Sequence, residues 1–139
     1  PDYLLYNPIT RETAIWYLNN DVLIGHAFGP TLWFGWSLVG VADFNGDGKP
    51  DYLLYNPATQ QTAIWYLNND VLIGHAFGPT PWFGWSLVGV ADFNGDGKPD
   101  YLLNNPTTQQ TAIWYLNNDV LIGHAFGPTL WFGWSLVGP

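Results

Sequence analysis

Along residues 62–67 apolar side chains fall on both sides of an extended chain: Ile64 and Tyr66 on one, Ala63, Trp65 and Leu67 on the other. That pattern predicts a strand covered on two faces rather than one with a wet side. Residues 86–91, 101–103, 111–116 and 120–126 are further short apolar runs, rich in β-branched and aromatic residues. Between them lie a Gly-rich polar stretch at 92–100 and turn signals at Asn105-Pro106, Asn117-Asn118-Asp119 and Gly127-Pro128. The expectation is four consecutive strands and no helix, because no segment keeps a helical period.

This pattern recurs every 49 residues, giving copies 1–49, 50–98 and 99–139, the last of them truncated. Copies one and two differ only at Ile9/Ala58, Arg11/Gln60, Glu12/Gln61 and Leu32/Pro81. Copies two and three differ only at Tyr55/Asn104, Ala58/Thr107, Pro81/Leu130 and Val90/Pro139. Such identity points to recent duplication of a natural array or to deliberate symmetrisation. Four strands in a repeat of roughly 40 to 50 residues predict a β-propeller blade, here an all-β chain of three four-stranded antiparallel blades. Gly89 and Ala91 suit an innermost strand, where neighbouring blades crowd together.

Composition narrows the partners. Nearly half the residues are hydrophobic, ample for a core in a single domain. The formal charge is −8 and the only basic side chains besides histidine are Arg11, Lys49 and Lys98, so nucleic acid and anionic membrane surfaces are poor partners. Without cysteine there is no disulfide, thiolate metal site or cysteine nucleophile. No apolar run approaches the roughly 20 residues of a membrane helix, and no signal peptide opens this segment.

Chemistry concentrates in Asp43-Phe44-Asn45-Gly46-Asp47-Gly48-Lys49-Pro50-Asp51 and its repeat at 92–100. Oxygen donors stand at loop positions 1, 3, 5 and 9, and a backbone carbonyl is on offer at position 7. Ca²⁺ takes about six to eight hard oxygens, and alternate residues of a tight loop can all turn inward on one ion. Six of the eleven acidic residues lie in these two loops, where they repel one another without a cation. Leu54 and Leu103 stand where an EF-hand has its bidentate Glu, and a strand follows instead of a helix. The spacing therefore predicts a Ca²⁺ ion that stiffens each loop, with no acid/base pair to make it catalytic.

The acidic loop, the Tyr52-Leu53-Leu54-Tyr55 strand after it and the Trp36-Ser37-Leu38-Val39-Gly40-Val41-Ala42 strand before it resemble the FG-GAP or VCBS-type repeat of integrin α-subunit propellers, the bacterial type above all. The resemblance implies a Ca²⁺ loop between the first two strands of a blade. It assigns Asp43, Asn45, Asp47, the Lys49 carbonyl and Asp51 to one ion, and Asp92, Asn94, Asp96, the Lys98 carbonyl and Asp100 to a second. Asp2 matches only the last ligand of a third loop, so no third site is expected within the chain. An extracellular or secreted setting also follows from the resemblance.

Three blades in an open arc leave apolar faces wet, and propellers close with about four to eight blades. The expected remedy is a homo-oligomeric ring, six blades as a dimer being favoured over nine as a trimer. Trp33 and Trp36, with Trp82, Trp85, Trp131 and Trp134, precede the first strand of a blade and are candidates for carbohydrate binding. Trp16, in mid-strand, is expected to pack. His26, His75 and His124 recur once per copy, and could share a metal only by facing a central channel. Ser37 lacks the elbow motif and the oriented His of a hydrolase. The reading is a non-enzymatic, calcium-stabilised scaffold that assembles with itself; the alternative is a lectin-like or adhesive module.

Overall fold

A computed structural model describes residues 2–139; Pro1, the start of the first copy, lies outside them. The described residues form eleven strands and no helix. β1 (Tyr3–Tyr6), β2 (Thr13–Asn19) and β3 (Val22–Phe28) make a first, three-stranded sheet. β4 (Ser37–Ala42), β5 (Asp51–Tyr55), β6 (Thr62–Asn68) and β7 (Val71–Phe77) follow as a four-stranded sheet in chain order. β8 (Ser86–Ala91), β9 (Asp100–Asn104), β10 (Thr111–Asn117) and β11 (Val120–Phe126) repeat it as a third. All pairings are antiparallel.

The expectation of four strands in every sheet fails for the first. An inner strand has the sequence Ser-Leu-Val-Gly and precedes an acidic loop, and only residues 37–42 and 86–91 stand before a Tyr-Leu-Leu strand they can pair with. The third such segment, from Ser135, forms no strand, although Pro139 lies against Gly89 of β8.

Sheets stack face to face, as propeller blades do. Tyr52, Leu54, Ala63, Trp65 and Leu67 of the second sheet pack towards Leu4 and Tyr6 of the first. The intervening residues Leu53, Tyr55 and Ile64 pack towards Tyr101, Leu103, Trp114 and Leu116 of the third. Alternation thus feeds two cores from one sheet, as residues 62–67 predict. Successive sheets converge at their inner strands, β4 and β8. A Cβ built on Gly40 would lie 3.1 Å from Val90 Cγ1, so a larger residue there would have to push Val90 aside by a few tenths of an ångström.

Candidate metal loops and the aromatic seam

Each acidic loop joins the inner strand of its sheet to the next strand and is shaped by its own side chains. Asp43 Oδ1 accepts the N–H groups of Gly46 and Asp47 at 2.8 and 3.1 Å, and Oδ2 accepts that of Gly48 at 2.8 Å. Asn45 Oδ1 takes the Asp47 N–H and Asp47 Oδ1 the Lys49 N–H. Asp92, Asn94 and Asp96 repeat these bonds in the second loop. Gly46 and Gly48 hold φ of 77° and 82°, the left-handed region the tight turn requires.

Asp51 and Asp100 differ from the rest. Both are fully buried, and each uses its two oxygens on two elements. Asp51 accepts from Phe44 N at 3.0 Å and Leu67 N at 3.1 Å, while Asp100 accepts from Phe93 N at 2.9 Å and Leu116 N at 3.1 Å. Each carboxylate therefore ties its loop to the third strand of the sheet. Desolvation by burial pushes both carboxyls above the ordinary 3.8, and those N–H donors oppose the shift. The negative charges of Asp47 on one, and of Asp96 and Asp92 on the other, push upward as well.

The donor chemistry of each loop suits Ca²⁺: three carboxylates, an amide oxygen and a carbonyl, with no soft ligand. A carboxylate oxygen that accepts one N–H keeps a lone pair for a cation, as Asp43 Oδ2 and both oxygens of Asp51 do. Among the described residues, however, no three His, Cys, Asp or Glu side chains are gathered at metal-binding range. The loops have the turn and the donors, while their carboxylates are turned to backbone N–H groups. Asp43, Phe44, Asn45 and Gly46 share a cavity of about 220 Å³ with Gly97 and Lys98 of the neighbouring loop.

The tryptophans form a separate seam. Trp33 stands edge-on to Trp65 at 4.8 Å and to His75 at 5.2 Å, and stacks on Phe77 at 6.0 Å. Trp82 repeats this on Trp114, His124 and Phe126 at 5.0, 5.1 and 5.8 Å. Trp36 and Trp85 are buried beside them, whereas Trp131 and Trp134 are exposed. Each Trp loop thus covers the sheet that follows it. The histidines are exposed on β3, β7 and β11, the strands farthest from the inner edge, so they do not converge. Sequence reasoning missed the His–Phe platform under each Trp and the bond from Tyr52 Oη to Thr13 Oγ1, 3.0 Å long and 39 residues apart. Nothing local in the chain signals such distant partners.

Stacked antiparallel sheets with an acidic hairpin at each complete one define an all-β repeat protein of propeller-like build. Residues 43–103, from the first acidic loop to the strand after the second, match the sequence model of the FG-GAP-like repeat and are an FG-GAP-type repeat. No curated protein and no solved structure matches the chain. No helix among the described residues is long and apolar enough to cross a membrane.

Proposed function

We propose that the chain is a non-catalytic propeller scaffold, stiffened by Ca²⁺ in its two acidic loops, whose copies join into a closed ring outside the cell. The carrying observation is the uneven burial of one repeated sequence. Every residue of β5 is buried, while its counterpart β1, identical over Tyr3–Tyr6, stands half open. An identical strand left open suits an identical neighbour, and a head-to-tail contact that repeats closes into a ring where its rotation suits and otherwise runs on as a filament. Two copies give six sheets, the favoured size, and three give nine.

Asp43, Asn45, Asp47, the Lys49 carbonyl and Asp51 would hold one ion, and Asp92, Asn94, Asp96, the Lys98 carbonyl and Asp100 the other. Bound Ca²⁺ would supply positive charge that relieves the buried carboxylates. External calcium at millimolar level fills sites of even ~10⁻⁴–10⁻³ M affinity.

Calorimetric titration of chelated protein with Ca²⁺ should show two sites per chain, with Asp43→Ala and Asp92→Ala each removing one. Light scattering should give a mass of two chains. Absence of Ca²⁺ binding sinks the metal half of the reading, and a folded monomer at micromolar concentration sinks the ring.

A further inference from the structure

We propose that the turn carrying Phe83, where the second and third sheets meet, binds a neutral sugar ring stacked on that phenyl group. The site needs neither a bound ion nor a second copy, so it goes beyond the scaffold reading and is tested apart from it.

Antiparallel strands taken in chain order put alternate connections at opposite ends of each sheet. The acidic loops and the Asn-Asn-Asp turns share one end; the loops after β1, β5 and β9 and the Trp loops share the other. All ten aspartates stand at the first end, with Lys49 and Lys98. The formal −8 therefore belongs wholly to that end, since Glu12 and Arg11 cancel at the other. The copies also differ at the neutral end: every difference but Val90/Pro139 falls there. In repeat folds, loops that vary from unit to unit on one face often mark the face that meets a ligand.

At the neutral end Phe83 is 95% exposed, although the turn beneath it is held from several sides. The Trp85 N–H donates to the Trp82 carbonyl at 3.0 Å, and Gly84 takes a φ of 84°. Trp82 packs on Trp114, and Trp85 is buried. Gln60 Nε2 reaches across to the carbonyls of Trp82 and Trp85, at 3.3 and 3.2 Å. An apolar ring presented on a braced turn has little freedom left to lose on contact, which favours binding.

The flanking groups set the chemistry of the ligand. With its amide hydrogens turned to those two carbonyls, Gln60 keeps Oε1 as an acceptor. Asn105 Oδ1 takes the N–H groups of Thr107 and Thr108 at 3.0 and 3.2 Å, so its Nδ2 stays a donor. A Cβ built on Gly84 would lie 3.8 Å from that Nδ2, which sets the donor at the foot of the turn. Loops 56–61, 82–85 and 105–110 contain no charged side chain. A phenyl face between an amide acceptor and an amide donor fits a neutral sugar. Its C–H bonds meet the negative face of the ring, and its hydroxyls meet both amides.

At the first junction the same turn is closed off. Arg11 takes the place of Gln60 and lies over the Phe34 ring, 5.5 Å from its centre. The exchange accompanies Leu32, whose N–H holds the Arg11 carbonyl at 2.9 Å. Pro81 has no N–H to give, and the Gln60 amide braces the turn instead. A cation thus occupies Phe34, while Phe83 stands open.

Full-length protein is mixed with four neutral probes, namely chitotriose, cellotriose, mannotriose and lactose. Saturation-transfer NMR with irradiation of the aromatic protons should reach the C–H protons of at least one of them. Phe83→Ala should weaken that probe at least tenfold with Tm unchanged, whereas Phe83→Trp should keep it. Asn105→Asp retains the acceptor for the Thr107 and Thr108 N–H groups, removes the donor and should weaken binding severalfold. Phe34→Ala should leave it within twofold. Silence with all four probes, or binding that survives Phe83→Ala, overturns the sugar site. Flotation with phosphatidylcholine vesicles that Phe83→Ala abolishes, with no sugar signal, overturns it too and makes the Phe83 tip a lipid contact. Calcium titration and light scattering are read independently, so failure here leaves the scaffold standing.

Discussion

Tyr52 and Tyr101 show how much one side chain carries at a sheet junction. Each phenol crosses to the preceding sheet and bonds a threonine hydroxyl that itself donates to a proline carbonyl, Thr13 to Pro30 and Thr62 to Pro79. Burial raises both phenols above the ordinary 10.0, and Tyr101 the more strongly, because a phenolate there would sit without water. A raised folded value means that the fold favours the neutral phenol. The stability it contributes is whole below pH 10 and is lost as pH climbs through the raised value. Burial raises the Tyr66 phenol as well, so ultraviolet titration should show three of the eight tyrosines ionising late, Tyr52 and Tyr101 together with unfolding. Tyr101→Phe keeps the buried ring, should remove one late phenol and should cost about 1 kcal/mol for the lost bond. Simultaneous ionisation of all eight with the fold intact would contradict this account.

At the scale of strands and hairpins, glycine divides into two uses. Gly78, at the end of β7, has no room for a Cβ, which would meet the Tyr101 hydroxyl and Thr62 Oγ1. Gly46 has φ of 77° and nothing within 4 Å of a built Cβ. Gly46→Ala should thus cost only backbone strain, about 1–2 kcal/mol. Gly78→Ala should cost about 2–4 kcal/mol, from overpacking and the broken junction bond together. Denaturant midpoints of the two variants decide it, and equal losses would refute the distinction. The second use was legible in the sequence, since Asp-x-Asn-Gly-Asp-Gly announces a tight turn. The first was not, because Tyr101 lies 23 residues away and belongs to the next sheet. Strand positions were likewise legible: the apolar run at 120–126 is β11. Burial was not. Trp16 and Trp65 share the local sequence Ala-Ile-Trp-Tyr-Leu, yet one is open and the other closed, because Trp33 packs edge-on over Trp65 and, among the described residues, no tryptophan loop packs over Trp16. The same locality hid the double bond of Asp51, whose spacing marks a ligand and whose geometry makes it also a tie to β6.

For the whole molecule, stability should behave as that of a stack in which each sheet gains from its neighbours and the end sheets gain least. Two separable dependences follow. Association stabilises the folded chain by mass action, so Tm should rise with protein concentration in chelator, where only the junction between copies is at work. Calcium should add its own increment at fixed protein concentration: a site filled at 100 times Kd contributes about 2.7 kcal/mol. At roughly 3 °C per kcal/mol for a domain of this size, one loop is worth about 8 °C. Asp92→Ala should halve the calcium increment and leave the concentration dependence, because the loop lies away from the first sheet. Scanning calorimetry across a hundredfold range of protein, with calcium and with chelator, reads both terms. A Tm that ignores concentration would mean that the open face of the first sheet is stable in water alone, and one that ignores calcium would mean that backbone N–H groups suffice to hold the acidic loops.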